Sequence, residues 1–305
     1  MRDAFVEALT ELTAEDPSVV LVTGDLGFGV LTDYAARFPD NFVNAGVAEQ
    51  NMTALACGMA LEGARAYTYS IANFPTLRCL EQLRNDVCYH GATVTVVAVG
   101  GGFSYGQLGM SHFATEDLAI MRAIPGMTVV APSDPWMAYE LARQLYRTGG
   151  PAYVRLDKGK AGLPAGPVEL GKVRTVREGE DGVIFATGGI LAEALAAADL
   201  LADQGISVAV VDVHTLKPFD ESGVRRAAKG RPIVVTLEEH NIAGGLGSAV
   251  AEALLEGGAA PRKFRRIGLA DCFPEVVGDQ DYLRKAHQLD RNAVVAAFRE
   301  EFAFQ

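Results

Sequence analysis

The chain has 305 residues, 49% of them hydrophobic and 21% charged, with a formal net charge of −11. That length exceeds what one hydrophobic core comfortably serves and predicts two domains. The acidic balance argues against a nucleic-acid partner, and no apolar run approaches the ~20 residues that cross a bilayer. The basic run Arg262-Lys263-Phe264-Arg265-Arg266 reads as an ordinary strand with solvated edges. Cys57, Cys79, Cys88 and Cys272 lack metal-ligand spacing and read as buried, reduced thiols. Residues 1–7 open an acidic amphipathic helix rather than a signal or transit peptide, so the expected location is the cytoplasm.

Strand-like and helix-period segments then alternate, the pattern of a parallel sheet covered by helices on both faces. A strand over 19–23 ends at Gly24-Asp25-Leu26-Gly27, a second is predicted over 41–44, and a helix over 49–61 leads to a strand over 64–70. Residues 75–89 read as a helix with Pro75 in its first turn. The apolar run 92–99 suits a strand buried on both faces and ends in Gly100-Gly101-Gly102, where backbone can approach a ligand closely. A strand over 127–131 is followed by Pro132-Ser133-Asp134-Pro135, which caps a helix to Tyr146, and by a strand over 152–156. The Gly-, Pro- and Lys-rich stretch 158–167 is the linker, dividing the chain into domains 1–165 and 166–305. Beyond it lie a strand over 182–187, a helix over 191–201, and strands over 206–213 and 232–237. Glu238-Glu239-His240 and a glycine loop over 242–247 come next, and a helix over 290–303 closes the chain.

Glu49 stands at the start of an otherwise small and apolar helix, in Gly46-Val47-Ala48-Glu49-Gln50-Asn51-Met52. Either it complements the positive end of the helix dipole, or it is a functional carboxyl at the carboxyl end of a strand, where open parallel sheets bind ligands. The segments Gly109-Met110-Ser111-His112, Arg122-Ala123-Ile124-Pro125-Gly126-Met127 and Ala131-Pro132-Ser133-Asp134 follow it in order.

In that order and spacing, these motifs resemble the pyrimidine-binding domain of transketolases and deoxyxylulose-phosphate synthases. The second half resembles the C-terminal domain of the same thiamine-diphosphate enzymes. The whole is similar to the small subunit of split transketolases, in which one enzyme is divided between two polypeptides. The fold implied is α/β, with two parallel-sheet-based domains. In this family a glutamate hydrogen-bonds the 1′ nitrogen of the cofactor's aminopyrimidine so that the exocyclic amine can act as base, which calls for a carboxyl of raised pKa. The resemblance gives that role to Glu49. It implies stacking of the pyrimidine on Phe74, with Tyr69 as the alternative, and places Asp25 near the cofactor. It makes His112 the histidine that faces substrate oxygens and assists proton transfer, and Arg155 a substrate-phosphate contact.

Departures from the family pattern carry information too. Leu108 and Gly100 stand where typical transketolases carry a hydroxyl-reading aspartate and a phosphate-binding histidine. The loop offers Ser104, Tyr105 and Gln107 as neutral hydrogen-bonding groups instead, which implies an acceptor other than the usual pentose-phosphate pair. No Gly-Asp-Gly diphosphate motif is present, and no metal ligands are assigned to this chain. The resemblance therefore implies a separate large subunit that holds the diphosphate and Mg²⁺, in a heterotetramer of two copies of each. The alternatives are the beta subunit of a 2-oxoacid dehydrogenase or decarboxylase, and a deoxyxylulose-phosphate-synthase-like enzyme. A dinucleotide module on Gly244-Gly245-Leu246-Gly247 lacks the full glycine fingerprint, and retention of Glu49 and His112 speaks against a noncatalytic homologue. Glu238-Glu239-His240 reads as structural or interfacial.

Overall fold

The computed structural model describes residues 1–302. Helix α1 (Arg2–Glu15) buries Phe5, Leu9 and Leu12. The first half then supplies β1 (Val19–Thr23), α2 (Thr32–Arg37), β2 (Phe42–Asn44), α3 (Glu49–Leu61), β3 (Arg65–Ile71) and α4 (Leu80–Gln82). It continues with β4 (Val94–Val99), α5 (Asp117–Ala123), β5 (Thr128–Val130), α6 (Pro135–Thr148) and β6 (Ala152–Leu156). After the linker come β7 (Arg174–Arg177), β8 (Gly182–Ala186), α7 (Leu191–Ala202), β9 (Val208–Asp212), β10 (Thr215–Lys217) and α8 (Glu221–Ala228). The chain ends with β11 (Ile233–Asn241), α9 (Leu246–Glu256), β12 (Lys263–Leu269), α10 (Gln280–Ala286) and α11 (Arg291–Phe302). The last residue expected in the closing helix, Ala303, lies outside the described residues.

A seven-stranded sheet runs in the order β10-β5-β6-β4-β3-β1-β2, and a five-stranded sheet in the order β12-β11-β8-β9-β7. Pairing is parallel throughout except at two edges, β10 against β5 and β7 against β9. Every residue of β4 and β6 is buried, as expected for parallel strands covered on both faces. The carboxyl ends of β1, β3, β4 and β6 gather the loops that carry Asp25, Phe74, His112 and Lys158 at one end of the first sheet. Strand β10 comes from the second half yet completes the first sheet, so the halves are interlocked rather than merely tethered.

Several local expectations are corrected. Helical turns after β3 begin at Leu77, not Pro75, because Thr76 Oγ1 donates back to Ala72 O at 2.7 Å and holds the preceding residues in a turn. From there the backbone passes through a 3-10 turn, α4 and a π-helical stretch, Leu83–Cys88. The Asp134 carboxylate makes no bond to its own helix and instead accepts from Gly162 N at 2.8 Å and Leu163 N at 3.1 Å, tying down the linker. Cys57 and Cys79 are buried, but Cys88 is only half-buried and Cys272 is exposed; all four are free thiols.

The Gly100-Gly101-Gly102 run makes room for protein, not for a ligand. A Cβ on Gly101 would lie 2.1 Å from Arg155 Nε, and one on Gly102 would lie 2.3 Å from Glu239 Oε1. Glu238-Glu239-His240 belongs to the buried strand β11 rather than to a following loop, and the side chains of Glu239 and His240 join the two halves. Glu239 Oε1 accepts from Phe103 N at 2.6 Å and Gln280 Nε2 at 2.8 Å, while Oε2 pairs with Arg284. His240 Nε2 accepts from Ala119 N at 3.3 Å, and Glu238 caps α9 through Leu246 N at 2.7 Å and Gly247 N at 2.8 Å.

Arg155 is 4% exposed and sits at the centre of this seam. Its Nη2 donates to Ala114 O at 2.9 Å and Glu239 O at 2.8 Å, and its Nε lies 3.1 Å from Asp117 Oδ2. Tyr153 donates to the same carboxylate at 2.6 Å. Burial works against the charged guanidinium, but Asp117 and the neighbouring acidic groups outweigh it and hold its pKa above the ordinary value. The role in substrate contact implied for Arg155 is therefore not what this geometry provides. The guanidinium is consumed inside the protein.

Near the linker, Asp212 is fully buried; its Oδ2 accepts from Ser133 Oγ at 2.6 Å and its Oδ1 has no partner. Burial pushes its pKa up to about 7, and pushes that of the neighbouring buried His214 down to about 4.

These observations generate two predictions. Arg155→Met strands the Asp117 carboxylate and should cost about 3–5 kcal/mol of stability in urea unfolding; an unchanged midpoint would free Arg155 for substrate after all. Folded Asp212 keeps a proton that the unfolded chain releases near pH 4, so its contribution falls as pH rises from about 4 to about 7. Asp212→Asn removes that loss, on the order of 2–4 kcal/mol. Its melting temperature relative to wild type should therefore be higher at pH 8 than at pH 4, and a pH-independent difference would refute the assignment.

Candidate active site

Glu49 is the first residue of α3, entered through a tight turn at Gly46, whose φ is +73°. Asn44 organises that turn: its Oδ1 accepts from Gly46 N at 3.0 Å and Asp25 N at 3.1 Å, and its Nδ2 donates to Asp25 Oδ1 at 2.9 Å. Asp25 adopts φ +60°, a left-handed conformation that aspartate tolerates better than most residues. Glu49 is 3% exposed, and its Oε2 accepts from Arg78 Nη1 at 2.8 Å. Gly24 borders the carboxyl's side chain: a Cβ there would stand in van der Waals contact, 3.4 Å from Glu49 Cγ.

Phe74 follows β3 and is half-buried, with the Arg78 guanidinium 4.6 Å from its ring centroid. His112 approaches the same ring edge-on, with centroids 5.1 Å apart. The two loops are pinned together because Asn73 Nδ2 donates to Ser111 O at 2.7 Å. Ser111 Oγ lies 2.9 Å from His112 Nδ1, which leaves Nε2 as the ring nitrogen turned away from that contact. Tyr105 comes next, 6.4 Å from the His112 ring, its own ring filling the space that a Gly100 side chain would need. Lys158 Nζ lies 3.8 Å from the Tyr105 centroid; desolvation and the nearby Arg2 guanidinium lower the Lys158 pKa. The wall thus runs Glu49, Arg78, Phe74, His112, Tyr105, Lys158.

The structure brings Glu49, Phe74 and His112 together, with Asp25 beside them through Gly24 and Asn44. Tyr69, the alternative aromatic, is 4% exposed and packed in the apolar core with Leu31 and Val99. Gln107 is exposed on a 3-10 turn at the rim, next to Leu108. Ser104 is not available to a ligand, because its hydroxyl is held by Gly101 O at 2.8 Å and Asp157 Oδ1 at 2.9 Å. Sequence reasoning missed Arg78 and Lys158. The first was visible only as a cation one helical turn beyond Phe74, and the second was absorbed into the linker.

The residues at one end fit an aminopyrimidine: a buried carboxyl at a helix start and, next to it, the half-buried ring of Phe74. Among the described residues no group of three or more His, Cys, Asp or Glu side chains could hold a metal ion, and the Asp25 carboxylate is engaged by Asn44. Large apolar side chains flank the site uncovered, with Phe28 82%, Val47 76% and Leu108 55% exposed.

The chain matches the transketolase pyrimidine-binding domain over residues 1–163 and the transketolase C-terminal domain over residues 171–294. It is 38% identical over 307 residues to a putative transketolase C-terminal section of Methanocaldococcus jannaschii, covering 99% of this chain and 96% of that protein. It is 39% identical to a 6-deoxy-6-sulfo-D-fructose transketolase subunit of Clostridium sp., covering 98% of this chain and 94% of the relative. Among solved structures, a split-gene transketolase in an inactive beta4 tetramer superposes with a TM-score of 0.87 at 36% identity, covering 98% of this chain and 96% of that one. In sequence, domain content and fold, the chain belongs to the transketolase family, and it corresponds to the C-terminal subunit of a split transketolase.

Proposed function

We propose that this chain is the small subunit of a two-component thiamine-diphosphate-dependent transketolase. It transfers a two-carbon ketol unit from a ketose to an aldehyde or ketone acceptor, outside the usual pentose-phosphate pair. The observation that carries this reading is Glu49, a buried carboxyl at a helix start with Phe74 and His112 within one short span. When bound, the cofactor would supply a carbon nucleophile for cleaving the ketose. Glu49 would hold the aminopyrimidine nitrogen and share its proton, and Phe74 would orient the ring by stacking. His112, fixed by Ser111 through Nδ1, would present Nε2 to substrate oxygens and pass protons there. Gln107 at the rim would meet the outer part of the substrate.

Lys158 takes over the part first given to Arg155. It is exposed at the end of the wall remote from Glu49, over the Tyr105 ring, a suitable place for an anionic group at the far end of a sugar. The sulfo group in the name of the Clostridium relative's substrate is of that kind. Mg²⁺ and the diphosphate would be held by a large subunit carrying the Gly-Asp-Gly motif, in a two-plus-two heterotetramer. Exposed Phe28, Val47 and Leu108 support a partner covering this face. We divide the domains at 165/166, within the stretch tied down by Asp134. We place the enzyme in the cytoplasm; no helix among the described residues is long and apolar enough to cross a membrane.

With the large subunit present, Glu49→Ala should lower ketol transfer by about 10² or more while circular dichroism stays unchanged. Full activity would show the assignment wrong. Lys158→Met should raise KM for a substrate with a terminal phosphate or sulfonate by about tenfold or more, with kcat little changed. An unaltered KM would remove Lys158 from the site.

A further inference from the structure

Arg78 stands apart from the other site residues because it touches both groups that a pyrimidine would need. It lies on the 3-10 turn Leu77–Cys79 with its side chain 49% exposed. Its Nη1 is 2.8 Å from Glu49 Oε2, and its guanidinium carbon is 4.6 Å from the Phe74 centroid. A planar heteroaromatic that stacks on Phe74 and hydrogen-bonds Glu49 needs the volume and the carboxylate oxygen that this guanidinium takes. The Arg78 guanidinium and a ring placed on Phe74 against Glu49 Oε2 compete for the same space.

We propose that Arg78 is a displaceable latch on the pyrimidine seat, holding Glu49 in an ion pair until the cofactor expels it. The proposal rests on the thiamine reading above. The contrast with Arg155 supports it: that guanidinium is enclosed and bonded on several sides, whereas the Arg78 side chain is 49% exposed and can swing into solvent once a cofactor hydrogen bond takes its place on the buried Glu49 carboxyl. Its cation–π contact with Phe74 makes it a cationic stand-in for the ring that must follow.

The test titrates thiamine diphosphate with Mg²⁺ into the complex of this chain with its large subunit, reading affinity by calorimetry and association rate by stopped-flow. Arg78→Met and Arg78→Ala should bind about five- to tenfold more tightly than wild type, about 1–1.4 kcal/mol by the constant of 1.4 kcal/mol per tenfold. They should also bind faster. Arg78→Lys, which keeps the charge without the guanidinium, should fall between. If the Met and Ala variants bind as wild type does, or more weakly, the latch is overturned while the thiamine reading stands. If the wild-type complex binds no cofactor, both fall.

Discussion

A guanidinium taken out of water must be surrounded by partners, and in this protein that requirement organises the active end of the first sheet. Arg155 is drawn between Asp117 at the start of α5, the carbonyl of Ala114 and the carbonyl of Glu239 from the second half. The loop between β4 and α5 must therefore pass directly over it, with no side chain at Gly101 to keep it off. Tyr105 and His112 ride on that loop. Glu239 and Gln280 hold it from the other side, so the second half of the chain serves the site by fixing the backbone that presents its histidine.

The result is one organised half of a binding surface. Glu49 sits at a helix start, Phe74 and His112 meet edge to face, and Tyr105 and Lys158 continue the wall outward. Beyond Glu49 the organisation stops. Asp25 turns to Asn44, no ligand set for a metal gathers among the described residues, and apolar side chains stand exposed. Organised side chains on one flank and exposed apolar side chains on the other make physical sense as one side of an interface. Its substrate discrimination would then lie at the Lys158 end, far from the shared chemistry.

What was legible in the sequence was local. The helix opening at Glu49, the buried run of β4 and the placement of His112 after a glycine-rich loop each depend on neighbours in the chain. The errors came from contacts between distant segments. The glycines at 100–102 are small because Arg155 and Glu239 fill the space, and nothing near them in the sequence says so. Arg155 and Lys158 lie almost side by side on the chain, yet one faces Asp117 in the interior and the other is exposed over the Tyr105 ring. Strand β10 is too short to read from pattern, and its pairing with β5 joins the two halves.

In the proposed function this chain carries the pyrimidine end of a thiamine-diphosphate site and needs another polypeptide for the rest. Calorimetric titration of thiamine diphosphate and Mg²⁺ into the purified chain, and then into an equimolar mixture with its large subunit, tests this directly. The account predicts no saturable binding to the chain alone, and one cofactor per pair of chains in the mixture. Tight stoichiometric binding to the isolated chain would contradict it.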